Sequence, residues 1–342
     1  MFRRFSNSKE GSTVSSLPAA LRNAFVHLVF LGLRFYLARA PPRLRFGNSL
    51  PARRNGATAA EQSVMENSTA TAATTAFEWG DLFKRDPRIA HWALVGNTQF
   101  IVLLLAVYVY IVKIGGPRFM RDRKPYDNIK PFIQFYNAAM VLLNCYFVVA
   151  FLTRTYWGGG YSFFCQGIDF EARDELTMSM LSHVWWYVLV RIADFLDTLF
   201  FVLRKKESHV SVLHVVHHVL VVFNGWFGLA YGADGHVAFG IIFNSFVHVV
   251  MYSYYFLSSL GPSVRKYLWW KRYLTQFQLV QFVILFFHMT IPLFVNCGYP
   301  LVHMCITLPQ GIFFFVMFLK FYGKAYIRSR PQPRVEVKVK AQ

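Results

Sequence analysis

Apolar residues in this chain fall into long, nearly uninterrupted runs, with neither the alternation of a half-buried strand nor the single stripe of a soluble amphipathic helix. Seven windows are long enough to cross a bilayer as a helix, which takes about 20 residues: 92–112, 132–152, 181–203, 210–229, 237–257, 273–295 and 301–322. The connections between them are short, so nearly everything from 92 to 322 is read as membrane domain. The fold class expected is all-α, an integral membrane protein with seven transmembrane helices.

Composition agrees. Of the 342 residues, 55% are hydrophobic and only 15% charged, where a soluble domain carries about 25%, and the mean hydropathy is positive. A formal charge of +19 raises the question of nucleic acid, but the basic residues flank the apolar runs and do not cover a polar domain, so no nucleic-acid partner is expected. Their distribution gives an orientation. Lys113, Arg118, Arg121, Arg123, Lys124 and Lys130 follow the first window, Arg204, Lys205 and Lys206 the third, and Arg265, Lys266, Lys271 and Arg272 the fifth. Seven more basic residues lie from Lys320 to Lys340, whereas the opposite loops hold Arg154 and Arg173. Positive loops stay cytosolic, which puts the N-terminus in the lumen and the C-terminus in the cytosol.

Smaller signals fit an endoplasmic-reticulum membrane. Asn67-Ser68-Thr69 is a glycosylation sequon in the expected luminal segment, and Lys338 and Lys340 near the C-terminus resemble a dilysine retrieval signal. Residues 1–80 form an extension that is Arg- and Ser-rich at first and Ala/Thr-rich later. It is transit-like or without fixed structure, and Met65 offers an alternative start. The membrane domain is expected over 81–328 and a basic cytosolic tail over 329–342. Cys165 and Cys297 fall in two expected luminal loops, where either a disulfide or two free thiols is compatible with the sequence; Cys145 and Cys305 lie within helices and read as small core residues.

Chemistry has to come from polar residues inside the apolar runs, where ionisable groups are costly and mark function by default. Arg191, Asp194 and Asp197 recur every three residues in the third window, with Thr198 beside the last. His214, His217 and His218 sit at i, i+3 and i+4 in the fourth, Asn244, His248 and Tyr252 at intervals of four in the fifth, and Gln278 and Gln281 in the sixth. Facing lipid, these stripes would go unsatisfied; facing one another, they line a polar chamber. His288 and His303 read as interhelical hydrogen-bonding residues, and Arg204, Lys205 and Lys206 as an interfacial topology signal that could also attract an anion.

Two chemistries suit three imidazoles on one turn. A metal site is one, as in membrane di-iron desaturases and hydroxylases, but those carry several HxxHH boxes and this chain has one, with His248 as the obvious further ligand. Proton transfer and nucleophilic attack on an acyl group is the other. A seven-helix receptor or transporter is a third class; the paired broken helices of many transporters are not evident.

Several ordered segments, GPRFMRDRKPY, YSFFCQGIDF, LDTLFFVLRKK, LHVVHH, NSFVHVVMYSYY and KYLWWKRYLTQFQLVQF, resemble the ELO-type very-long-chain fatty acid elongases over about 86–326. The resemblance implies seven helices, six of them ringing a tunnel for an acyl chain. It implies condensation of a long-chain acyl-CoA with malonyl-CoA, giving a 3-oxoacyl-CoA two carbons longer with loss of CO2 and CoA. No cofactor and no metal are implied. His217 would accept the acyl group and His248 would handle malonyl decarboxylation or the proton, with His214, His218, Asp194, Asp197 and Asn244 orienting them. Arg191, Tyr252, Tyr255, Gln278 and Gln281 would contact substrate, and Arg204, Lys205, Lys206, Lys271 and Arg272 would hold CoA phosphates. Cys165 and Cys297 match a luminal disulfide pair. The implied partners are acyl-CoA, malonyl-CoA, membrane lipid, the ketoreductase, dehydratase and enoyl-reductase of the elongation cycle, and other copies of the chain. This sequence departs from the family's KxxExxDT, reading RIADFLDT, and has His209 where many relatives have Gln.

Overall fold

The computed structural model describes residues 84–327; Asn67, Lys338, Lys340, the proposed extension and the basic tail lie outside the described residues. The described residues form no strand. The helices are α1 (Thr98–Met120), α2 (Lys130–Arg154), α3 (Glu175–Ala193), α4 (Phe195–Leu203), α5 (Val212–Tyr231), α6 (Val237–Ser259), α7 (Lys271–Phe294) and α8 (Leu301–Tyr322), with a single turn, Pro262–Arg265, before α7.

Among the described residues, six of these, α1, α2, α5, α6, α7 and α8, are long and apolar enough to cross a membrane. Their apolar side chains point outward as well as inward: Phe135 and Leu142 on α2 are 72% and 71% exposed. The buried set includes Asn144, Arg191, Asp194, Asp197, Thr198, His248 and Gln281. A greasy exterior around a polar interior is the arrangement a bilayer requires, and the molecule is a multi-pass membrane protein. Helices α2, α6, α7, α8, α5 and α3 each pack on the next and close a ring of six, while α1 stands outside it against α4 and α5.

Two windows differ from expectation. The third, 181–203, is a pair of helices broken at Asp194, and the first of them starts earlier, at Glu175, where Asp174 accepts the Thr177 N–H at 3.0 Å as its N-cap. No Gly or Pro marks the break. Asp194 keeps helical dihedrals, but Asp197 N–H bonds back to the Asp194 carbonyl over three residues, a tightened turn formed where the Asp194 side chain is drawn sideways into contacts described below. The first window, 92–112, begins as turns: Asn97 caps α1 by accepting the Phe100 N–H at 2.9 Å, and the helix runs to Met120 through a π-turn, Ile111–Gly115. Lys113 and Arg118, read as loop residues, are therefore helical. A Cβ on Gly116 would stand 2.7 Å from Val202 Cγ1, so the bare glycine sets how closely α1 approaches α4.

Cys165 and Cys297 are disulfide-bonded, tying the α2–α3 loop to the α7–α8 loop. Of the two other cysteines, Cys145 is exposed on the outer surface of α2 and is no core residue: a thiol is apolar enough to face lipid. Cys305 is half-buried. Arg204, Lys205 and Lys206 cluster at the opposite end of the bundle from the disulfide. Below, the two ends are called the basic end and the disulfide end.

Candidate active site

The ring encloses a cavity of about 1150 Å³ including its mouth, lined from α3, α5, α6, α7 and α8. His217, Asn244 and Gln281 are on its wall. The rest of the lining is largely aliphatic and aromatic, with Val184, Val188, Ile241, Phe282, Leu285 and Met289 among it. An apolar bore with a few convergent polar groups is what a site for a long apolar ligand looks like.

Next to that wall, the break between α3 and α4 assembles a charged network. Arg191, fully buried, pairs with Asp194 at 3.2 Å, donates to Asn144 Oδ1 at 2.9 Å and reaches His248 Nδ1 at 2.5 Å. The Arg191 Nη1 that reaches Nδ1 also stands 3.2 Å from His248 Nε2, and because a guanidinium only donates, the imidazole takes this contact as an acceptor. The Tyr252 hydroxyl sits between two carboxyls, 2.9 Å from Asp194 Oδ1 and 2.6 Å from Asp197 Oδ2, and the Tyr136 hydroxyl is 3.4 Å away. Helix spacing explains the convergence: 191, 194 and 197 recur along one side of the chain, and 244, 248 and 252 along one side of α6. Asn244 Oδ1 accepts from the Tyr187 hydroxyl at 2.9 Å.

Ser211 starts α5 by capping the His214 N–H at 3.2 Å, which sets the phase in which the three histidines point inward. His217 faces the cavity against Phe314 and Phe318, with ring centroids 5.0 and 5.9 Å away. His218 lies between His214 and His217, at 4.4 and 5.7 Å. His214 Nε2 is 2.9 Å from Thr198 Oγ1, which is 2.8 Å from the Tyr108 hydroxyl on α1. The helix outside the ring thus reaches the histidine box through one threonine. Among the described residues, no group of three or more His, Cys, Asp or Glu is arranged to hold a metal ion.

The other sequence candidates divide. Gln278 turns to Met251 Sδ at 3.6 Å and is not on the cavity wall, so of the α7 pair only Gln281 lines the bore. Tyr255 packs edge-on against Tyr252 at 5.9 Å. At the basic end, Arg204 is 3.3 Å from Asp127, Lys205 Nζ donates to the Arg121 carbonyl, and Arg272 donates to the Tyr322 hydroxyl at 2.6 Å. Lys206 and Lys271 are exposed. Burial, helped by Arg204 and Arg265, lowers the Lys206 pKa; burial, with Lys206 and Lys271 nearby, lowers that of His209. His288 and His303 bond the backbone carbonyls of Phe163 and Tyr231, at 3.0 and 3.1 Å.

Sequence reasoning missed Asn144, Tyr136 and Tyr108, which lie in the first two windows, where no polar stripe is read. It also missed Asn224 and Gln310 on the cavity wall, and a buried Asp86–Arg88–Asp234 cluster near the disulfide end, whose members look like ordinary loop charges. For Asn144, a lone amide in the run VLLNCYFVV was a usable signal.

Known proteins bear on this geometry. The model of the ELO family, described as GNS1/SUR4, matches residues 93–334. Very long chain fatty acid elongase 7 of Rattus norvegicus is 39% identical over 252 residues, covering 73% of this chain and 88% of its own length. Very long chain fatty acid elongase 4 of Mus musculus is 39% identical over 241 residues, 70% of this chain and 76% of its own. Elongase 7 of Drosophila melanogaster is 35% identical over 263 residues, covering 76% and 79%. With a match over most of its membrane domain, and a cavity bordered by its histidine box, the chain belongs to the ELO (GNS1/SUR4) family.

Proposed function

We propose that this protein is a fatty acid elongase that condenses a long-chain acyl-CoA with malonyl-CoA, releasing CO2 and CoA and giving a 3-oxoacyl-CoA two carbons longer. The observation that carries the reading is His217, an imidazole on the wall of a long apolar cavity with aromatic rings on one side and further histidines on the other. The acyl tail occupies the bore and its thioester carbonyl meets the histidine box.

In the first step a ring nitrogen of His217 attacks the thioester carbonyl; the N–C bond forms, the C–S bond breaks, and the thiolate of CoA leaves with a proton. In the second, malonyl-CoA loses CO2, and the electron pair of the broken C–C bond attacks the acyl carbon. The new C–C bond expels the imidazole, which takes up one proton from water and so restores neutral His217. His248 and the Arg191 guanidinium that holds it stabilise the enolate oxygen that decarboxylation generates. Asp194, Asp197 and Tyr252 fix Arg191 and the turn that carries it. The basic end, with Arg204, Lys206, His209, Lys271 and Arg272, attracts the CoA phosphates. This reading puts that end in the cytosol and the protein in the endoplasmic-reticulum membrane, and its product is the substrate of a ketoreductase, followed by a dehydratase and an enoyl-reductase.

The test uses purified protein in lipid nanodiscs. With acyl-CoA alone, intact-mass measurement is expected to show one acyl group on the chain, located at His217 by peptide mapping. Addition of malonyl-CoA is expected to discharge it as a 3-oxoacyl-CoA. His217→Ala, eluting as folded protein, is expected to lose both; full condensation by that variant overturns the assignment.

A further inference from the structure

The cavity is not uniformly apolar along its length. Asn224 follows His217 by seven residues on α5, about 10 Å along the axis toward the disulfide end. Gln310 stands one turn before Phe314 on α8, about 6 Å from it in the same direction. Gln281, 4% exposed, lies across the bore next to Phe282, whose ring is 6.1 Å from that of Phe314. All three amides line the cavity, and among the described residues none has a hydrogen-bond partner in the protein. Farther toward the disulfide end the lining turns apolar, with Val237, Phe286, Met289 and Leu308, and the one hydroxyl there, of Thr307, is taken up by the His303 carbonyl at 2.7 Å.

Unpartnered amides in an apolar bore are costly unless a ligand or water satisfies them. Here they are confined to the first stretch beyond His217, against which the carboxyl-proximal part of a bound acyl chain lies. A saturated segment would strip their water and offer nothing in return. A segment with a hydrogen-bond acceptor, whether an oxygen or the π-cloud of a double bond, receives their N–H groups.

We propose that Asn224 and Gln310, with Gln281, make the cavity selective for acyl chains that carry such an acceptor in their carboxyl-proximal half, either cis-unsaturation or an oxygen function, over saturated chains of equal length. This rests on the acyl-CoA elongase reading above and adds a substrate preference to it. Selection by hydrogen bonding to groups on a cavity wall discriminates more sharply than apolar fit does.

The experiment compares four acyl-CoA primers of one length with full-length protein in nanodiscs: saturated, cis-unsaturated in the carboxyl-proximal half, cis-unsaturated in the methyl-proximal half, and hydroxylated in the carboxyl-proximal half. The carboxyl-proximal primers are expected to show kcat/KM about 5- to 10-fold above the saturated one, with the methyl-proximal primer close to saturated; which of the two leads tells π-bond from oxygen. Asn224→Leu and Gln310→Met are each expected to shrink the preference, and the double variant to erase it, while saturated primer is turned over as well as before or better. Equal kcat/KM across the four primers overturns the inference. So does a preference that survives in the double variant, which would mean that the bend of the chain, and not hydrogen bonding, is selected. If no primer is elongated, the elongase reading itself fails, and displacement of a fluorescent acyl-CoA by the same four compounds still measures the preference: equal displacement overturns it, and tighter binding of the carboxyl-proximal compounds supports it.

Discussion

Among the described residues two arginines are buried in ion pairs with carboxylates, and they are held in opposite ways. Near the disulfide end, Arg88 is enclosed by Asp86 and Asp234. Nε donates to Asp86 Oδ1 at 2.9 Å, Nη2 to Asp86 Oδ2 at 2.6 Å and Asp234 Oδ1 at 2.8 Å, and Nη1 to Asp234 Oδ2 and the Asp169 carbonyl at 2.9 and 3.0 Å. Every face of the fork is used, by two carboxylates that draw together the segment before α1, the α2–α3 loop and the turn after α5. Arg191, near the end of α3 and facing the middle of α6, has an Nε–H with no partner, one carboxylate, and two neutral partners in Asn144 and His248. A closed ion cluster holds segments in place; an incompletely satisfied one that contacts imidazole keeps a donor free. The same two residue types, Arg and Asp, thus close one cluster and leave the other open.

The largest effects should separate the two. Arg191→Met removes the cation that polarises His248 and leaves Asp194 buried beside it, so turnover is expected to fall by about 100-fold or more, in the range of losing a general acid–base group. Arg88→Met strands two buried carboxylates and is expected to cost about 3–5 kcal/mol of stability, seen as a lowered thermal midpoint in detergent, with turnover per folded molecule retained. An Arg88→Met protein that stays as stable as wild type but stops turning over would reverse the comparison. Next comes Tyr252→Phe. It deprives Asp194 and Asp197 of a shared hydroxyl, and removing a buried partner costs about 1–3 kcal/mol; turnover should drop about tenfold because Arg191 loses its fixed counter-charge. An unchanged kcat in this variant would show that the carboxylate pair does not reach the chemistry. Smaller still is Tyr108→Phe, which keeps the ring stacked on Phe195, at 3.9 Å between centroids, and deletes the hydroxyl that orients Thr198 toward His214. About a threefold loss in kcat at constant KM is expected, against a stability cost of about 1 kcal/mol. Loss of stability with kcat untouched would assign the hydroxyl to packing alone.

Much of the Arg191 half of this contrast is legible in the sequence, because its residues repeat at helical intervals within apolar runs, where a polar stripe has no cheap alternative to facing inward. Arg191, Asp194 and Asp197, and Asn244, His248 and Tyr252, announce themselves in that way. The helix break at Asp194 does not: RIADFLDT contains no breaker, and the turn follows from tertiary pulls by Tyr252 and Arg191 that no local pattern encodes. Nor does the Arg88 cluster, since Asp86, Arg88 and Asp234 stand in short polar segments where solvated charges are the ordinary expectation, and only contacts across 146 residues of chain make them a core. The start of α1 shows a third kind of miss. Hydropathy begins at Trp92, but the Asn97-Thr98 pair is a helix-start signal that could have moved the boundary.

The smallest effect concerns the link between the basic end and the ligand it is proposed to hold. His209 is exposed but has its pKa lowered, first by partial burial and then by Lys206 and Lys271. As pH falls through the ordinary histidine value of about 6.5, the unfolded chain takes up a proton that the folded His209 still refuses, so acidification through that window weakens the folded state slightly; above it the group has no effect. A phosphate brought between His209 and these two lysines would reverse the local potential and raise the His209 pKa, so that CoA binding takes up protons and strengthens as pH drops toward that range. NMR titration of labelled histidine, with His209→Gln to assign the resonance, is expected to show a value below the ordinary one for the free protein and an upward shift on saturation with CoA. The KM for acyl-CoA in His209→Gln should change by less than about threefold, as for other charges exposed at a rim. A His209 resonance indifferent to saturating CoA would place the phosphates elsewhere on the basic end, nearer Arg272 than the turn before α5.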